Sequence, residues 1–345
     1  MDPAFSTLLN AVQKNCNIAD AVHAGDYTLC VYLLKMREYF RWEKGYSIST
    51  PLPSAAVGHW LKQREQLWEC IEDDTFSPLP VADTEHDPFD ADTLNSHLNP
   101  HGLVYSAGYG NYGRAHFFLA RLEQRRVEQD FTVLITADEF ARDLAAPPAM
   151  TLGNTVFVRR ESLRRMLWEK VEEWRWNKPD NAMGRAMAGY AFDHDDDAAL
   201  AQMTEDQITV LLQHEIGEVM AGKLLGDNWE TMLMDLPRSR TELSLRAVRD
   251  HLADSLSTLP SLLESAQPSM LHFFFATLTP LRKATAPQLL LAYTDWLKSQ
   301  SLDALRDYVD HAQKHCGELG QHLLQLHAQK APLATLQNLI DSKPL

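Results

Sequence analysis

The chain has no CxxC pair. Its four cysteines, Cys16, Cys30, Cys70 and Cys316, are widely spaced. That excludes a zinc ribbon or thioredoxin-like motif and fits reduced thiols in a cytoplasm. No apolar run reaches the length of a spanning helix, so no membrane partner is expected. The opening residues MDPAFSTLLNAVQKNC lack the basic patch and apolar stretch of a signal peptide, so a cytoplasmic location is expected. Positive charge is scarce: 32 Lys and Arg against 47 Asp and Glu leave a formal charge of −15. Phosphate backbones and anionic lipid surfaces repel such a chain, so no nucleic-acid partner is expected either. Glycine (15) and proline (17) are too few for a fibrous or low-complexity protein. No GxSxG elbow is present, and no Cys/His pair is placed by spacing.

What the chain does have is a near-average 45% of hydrophobic residues, enough for a real core. The patterning predicts an α+β, mostly helical protein. Residues 1–72 read as helical, with Leu29, Tyr32, Leu33, Met36 and Phe40 at helical spacing and Cys30 in the same apolar run as a core residue. Residues 73–100 carry seven acids and no Lys or Arg, which reads as an exposed acidic linker. Strands are expected at Leu103–Ser106, Phe131–Thr136 and Thr155–Val158, and helices at Gly113–Glu128 and Glu161–Trp176. After Thr204 the chain reads as helix, broken at prolines. Residues 101–260 are expected to form a metal-binding core, and 261–345 a C-terminal helical region.

The densest chemistry lies in ITVLLQHEIGEVMAGKLLG, which follows a capping-box pattern at Thr204–Gln207. His214 and Glu218 are four residues apart and stack on one face, with Glu215 beside them. The helix is apolar nearly all round, so it reads as buried. Burying unpaired ionisable groups costs several kcal/mol, roughly, and a shared cation relieves this. His214 and Glu218 are therefore the expected ligands, with Glu215 as general base. Gly217, mid-helix, suggests close approach of another backbone. The alternative is a surface pair of His214 and Glu218, with Glu215 meeting an arginine.

The next helix, Glu242–Leu259, holds a leucine stripe, with Asp250 and Asp254 stacked opposite it and His251 alongside. Together the two segments resemble the HExxH zinc hydrolases (zincins) whose third ligand is a Glu on a later helix. The resemblance covers roughly residues 100–260 and includes the order of strands upstream. It implies Asp250 as third metal ligand, Asp254 as the acid that holds His214, and hydrolysis of an amide or peptide bond in an unknown protein or peptide substrate. Glu215 would activate water, with His251 or a tyrosine steadying the oxyanion. Two residues depart from the pattern: Glu218 replaces the second histidine and Asp250 the ligand glutamate. One His with two carboxylates suits Fe(II) or Mn(II) at least as well as Zn. Two other readings stay open. One is a non-haem, even di-iron, carboxylate protein that recruits Glu38 and Glu43. The other is a non-catalytic adaptor with a degenerate metal site.

Other signals are weaker. Gly108–Gly113 matches GxGxxG after a short strand, with Asp138 and Glu139 beyond the next, as in a dinucleotide fingerprint; a glycine-rich connection is the plainer reading. Asp307, His311, His315 and His322 share a face of the C-terminal helix and read as solvated. Asp193–Asp197 is acidic but lacks calcium-loop spacing.

Overall fold

The computed structural model describes residues 3–110, 113–128, 131–265 and 267–345. It is α+β and mostly helical, as expected. The chain divides into two compact units, Met1–Glu169 and Lys170–Leu345. The boundaries expected at 72, 100 and 260 do not coincide with this one.

The first unit opens with three helices, α1 (Pro3–His23), α2 (Leu29–Glu43) and α3 (Ser54–Ile71). The acidic segment that follows is not a linker. It forms a hairpin, β1 (Leu79–Val81) and β2 (Thr84–His86), then α4 (Ala91–Leu98). Leu79 and Leu94 are fully buried. The acids serve local geometry. Ala82 and Asp83 both take positive φ in the two-residue turn (Val81 pairs with Thr84), the conformation a tight hairpin demands. Asp90 caps α4 by accepting from Thr93 N at 3.1 Å. A high density of Asp thus marked turns and caps rather than an unstructured connection.

A five-stranded sheet follows: β3 (Leu103–Tyr109), β4 (Ala115–Val127), β5 (Thr132–Arg142), β6 (Ala149–Leu152) and β7 (Thr155–Arg159), in the order β3-β4-β5-β7-β6. Among the described residues only β5 and β7 run parallel. Three expected strands stand, but the expected helix at Gly113–Glu128 is β4. The reason lies in its burial on both faces. Phe117 and Leu119 join Val12, Cys16 and Ala141 in one core, while Phe118 and Ala120 join Val104, Leu134 and Phe157 in another. A strand covered on both sides loses the two-residue alternation that would reveal it. Register shifts between Leu119 and Gln124 bend it against β5.

Inside this unit lies a buried charge network. Arg159 grips Glu139 with Nε on Oε1 at 3.0 Å and Nη2 on Oε2 at 2.7 Å, and Ser162 Oγ donates to Oε1 at 2.6 Å. The guanidinium lies over the Phe118 ring at 4.3 Å. Both charged side chains are 0% exposed. Burial pushes the Glu139 carboxyl up, but Arg159, Arg142 and these hydrogen bonds hold it below its usual range.

Helix α5 (Arg160–Asn177) crosses the boundary into the second unit. There the chain forms α6 (Ala182–Met187), α7 (Asp196–Leu225), α8 (Asp227–Asp235) and α9 (Arg240–Ala253). A single π turn (Asp254–Thr258) leads into α10 (Leu259–Ser265). Then come α11 (Pro268–Thr277), α12 (Pro280–Thr285), α13 (Pro287–Ser299), α14 (Asp303–Ala328) and α15 (Leu333–Ser342). Prolines 268, 280 and 287 open helices, where a missing N–H costs nothing. Leu245, Val248, Leu252 and Leu259 sit in the buried core, as the stripe predicts.

Helix α7 begins at Asp196, eight residues before the expected capping box. Asp195 supplies the cap by accepting from Ala198 N at 3.0 Å. Thr204 turns its hydroxyl back onto Leu200 O instead. Among the described residues, no helix is long and apolar enough to cross a membrane.

Candidate metal centre

Helices α7 and α9 cross where Gly217 has no side chain. A Cβ there would stand 2.3 Å from the Ala253 carbonyl oxygen, so this position admits only glycine without a backbone shift. The expected close approach is the Ala253 peptide itself. Immediately after Ala253 the helix widens into the π turn, with Leu259 N donating to Asp254 O. Neighbours secure the turn. Ser257 Oγ donates to Gln213 Oε1 and Gln313 Nε2 donates to Ser255 O, both at 2.7 Å.

This crossing brings His214, Glu218 and Asp250 together, each offering one ligand atom, all within 4.8 Å of one another. Ligand atoms bound tetrahedrally at about 2.1 Å to one ion stand about 3.4 Å apart, so seating all three needs a closure of up to about 1.4 Å. Asp254 lies behind His214 and accepts from Nδ1 at 2.8 Å. That leaves Nε2 as the ring atom for a ligand bond. The side chains of the trio are partly open to solvent, whereas Asp254 is 2% exposed. An inner acid that orients the imidazole and an outer trio that water can reach are what an open metal position requires. The donor set, one nitrogen and two carboxylates, fits Zn, Fe(II) or Mn(II).

Two arginines complete the site, and neither emerged from the sequence. Arg249 bonds Glu218 Oε2 at 2.7 Å and Glu230 Oε1 at 2.6 Å. Arg282, from α12, ion-pairs with Asp254 and has Nε 4.0 Å from Asp250 Oδ2. Arg249 precedes Asp250 in sequence, so adjacency to a candidate ligand was its one signal. Arg282 lies a helix-turn-helix path away from Asp254, and no spacing rule points to it.

Two guanidiniums face four carboxylates, so the cluster keeps surplus negative charge. Protons take up part of it. Burial pulls the His214 ring down, but Asp254, Glu218 and Asp250 overcome this and raise it to about 9. Burial raises Glu218 to about 7 against the pull of Arg249, and raises Asp250 against Arg282. Asp254 is also buried, yet Arg282 and His214 hold it well below the usual carboxylate range.

Other expected site residues fall elsewhere. Glu215 follows His214 on α7, half-buried, outside the trio. His251 does not face a reacting group. Its Nε2 donates to Arg282 O at 3.1 Å and Thr285 Oγ1 at 3.0 Å, and burial and Arg282 lower it to about 4. The expected oxyanion role is corrected to that of a neutral brace between α9 and α12. Glu38 is held by Arg37 and Arg41, and Glu43 by Arg64 and Lys44, all in the first unit. Cys30 and Leu29 are exposed, not core.

Asn111 and Tyr112 of the glycine motif lie outside the described residues. Its flanks, β3 and β4, pair antiparallel, so the motif opens no helix, and the dinucleotide reading loses its context. Glu139 is spent on Arg159, while exposed Asp138 pairs with Arg121. On α14, Asp307, His311 and His322 are exposed and His315 caps Lys343 O at 3.0 Å. Asp195 and Asp196 of the acidic loop are used by the α7 cap and Arg175.

The strands matched to the zincin pattern belong to the first unit and the HEIGE helix to the second. What remains of that likeness is the ligand layout on α7 and α9. No curated protein and no solved structure matches the chain. Two domain families do, and they meet beside the boundary between the units. Residues 7–159 match the N-terminal domain, and residues 164–343 the C-terminal domain, of a family of unknown function, DUF6866. With nearly all of its length covered by these two matches, the chain belongs to the DUF6866 family.

Proposed function

We propose that the second unit binds one divalent metal ion through His214, Glu218 and Asp250 and uses it to hydrolyse an amide or peptide bond. The observation that carries this reading is the convergence of three ligand atoms within 4.8 Å, with Asp254 bonded behind His214. Bound there, a divalent ion would polarise a carbonyl and lower the pKa of a water. The chain's own residues do the rest. Asp254 fixes the tautomer of His214, and Arg282 keeps Asp254 ionised. Glu215, next to His214 in sequence, would take a proton from an attacking water and return it to the leaving amine. The four unpaired cysteines agree with a reducing, cytoplasmic setting.

A second reading is favoured by Arg249, which already neutralises Glu218 at 2.7 Å. In it the cluster is a charge network without metal, in a non-catalytic protein. Elemental analysis of protein purified without chelators or metal resin separates the two. The metal reading expects one ion per chain in wild type and in Glu215→Gln, and none in His214→Ala. It expects Glu215→Gln to slow amide hydrolysis by several orders of magnitude. Wild-type protein that holds no Zn, Mn or Fe, and whose melting those ions do not shift, overturns it. Two ions per chain point instead to the di-iron alternative.

A further inference from the structure

Within the trio, Glu218 is the side chain that an arginine already holds. Arg249 Nη2 lies 2.7 Å from Glu218 Oε2, and its Nη1 donates to Glu230 Oε1 at 2.6 Å. The other two are placed differently. His214 gives Nδ1 to Asp254 and keeps Nε2. Arg282 Nε stands 4.0 Å from Asp250 Oδ2, beyond hydrogen-bond reach. The two arginines also differ in how they are held. Arg282 is tied to Asp254, whose side chain is 2% exposed. Arg249 Nε is buried without a hydrogen-bond partner, so its two carboxylate bonds hold the guanidinium. Those bonds use different nitrogens and reach different surroundings. Glu218, on α7, is 17% exposed, and Glu230, on α8, is 57% exposed. Arg249 can therefore release the inner carboxylate without losing the outer one.

We propose that Arg249 competes with the metal ion for Glu218, and that Glu230 receives the guanidinium when metal binds; this rests on the metal reading above. A divalent ion on either oxygen of Glu218 would stand within a few ångströms of the guanidinium, where two cations in a partly buried site repel strongly. The three ligand atoms, spread over as much as 4.8 Å, must also draw together around an ion. Turning Glu218 inward breaks its bond to Arg249 Nη2. Nη1 stays on Glu230, and Nη2 turns to the second oxygen of that same carboxylate, which makes a two-point fork. Metal loading thus moves one ion pair from the cluster to the surface of α8. Metal loss returns it, and Glu218 is neutralised again by its own chain.

The test uses the full chain, with Zn(II) and Mn(II) as probes and competition with a chromophoric chelator as the readout. Arg249→Gln should bind metal roughly tenfold or more tightly than wild type, because a like charge is removed. Glu230→Gln, at an exposed position, should bind several-fold more weakly, because Arg249 loses the partner that draws it off Glu218. In the double variant the Glu230 substitution should add nothing, since its effect runs through Arg249. An acid that acts through its field alone would weaken binding equally in both backgrounds, and that result overturns the proposal. Arg249→Gln binding no more tightly than wild type also overturns it, and makes Arg249 a support for Glu218 instead. If Arg249→Gln does not fold, Glu230→Gln decides alone, and unchanged affinity there overturns the proposal. Wild type and Arg249→Gln both free of metal overturn the metal reading together with this one, whereas equal, measurable affinities overturn this one only.

Discussion

The protein buries charge twice, in two different ways. In the first unit, Glu139 and Arg159 meet in a two-point fork with Ser162 adding a third hydrogen bond, and both side chains are sealed from solvent. In the second, His214, Glu218 and Asp250 are partly open and carry more acid than base; Asp254 and the neighbouring carboxylates raise His214 to about 9, and burial raises Glu218 to about 7. A balanced, sealed pair neutralises its own charge and fixes strand to strand. An unbalanced, accessible group is a candidate for binding.

Breaking the sealed pair should have the largest effect. Glu139→Ala leaves Arg159 buried and unpaired, and should lower stability by about 3–5 kcal/mol in a denaturant titration. An effect below about 1 kcal/mol would place Glu139 with the open group. Gly217→Ala comes next. The added methyl meets the Ala253 carbonyl, so the α7–α9 crossing must spread at a cost of about 1–3 kcal/mol, more than the ~1 kcal/mol gained in helix propensity. Metal affinity should fall with it, as measured by competition with a chromophoric chelator.

Asp254→Asn tests the orienting acid, with about 10–100-fold weaker metal binding expected. The pH dependence sharpens the contrast. A metal must displace protons from Glu218, raised to about 7, and His214, raised to about 9. Affinity should therefore rise as pH climbs through 7 towards 9 and weaken in acid. Calorimetric titration at pH values on either side of 7 checks the sign. The smallest effect belongs to the exposed Arg121–Asp138 pair, where Asp138→Asn should change stability by less than about 1 kcal/mol.

The grouping of ligand residues was legible because it obeys local rules. His214 and Glu218 are one turn apart, and Asp250 and Asp254 repeat that spacing on the second helix. The role of Gly217 was legible for the same reason, since an unpropitious residue inside an apolar helix marks a backbone neighbour. Arg282 was not legible, because its place depends on how α12 packs rather than on any periodicity. Burial on both faces masked β4. The acids of residues 73–100 were misread because caps and turns recruit the same residues that solvated connections do. Leu29 and Cys30 were misplaced because helical spacing shows that a face exists and not that anything covers it.

The meeting of Gly217 with the Ala253 peptide has one more consequence. Side chains act as adjustable shims between helices, and exchange of leucine for methionine or valine normally retunes the gap. Here the two main chains touch directly, so the span from His214 to Asp250 is set by the thickness of the polypeptide itself. Substitutions accumulating in the surrounding core can therefore alter how firmly the second unit holds together while leaving the dimensions of its charged pocket unchanged.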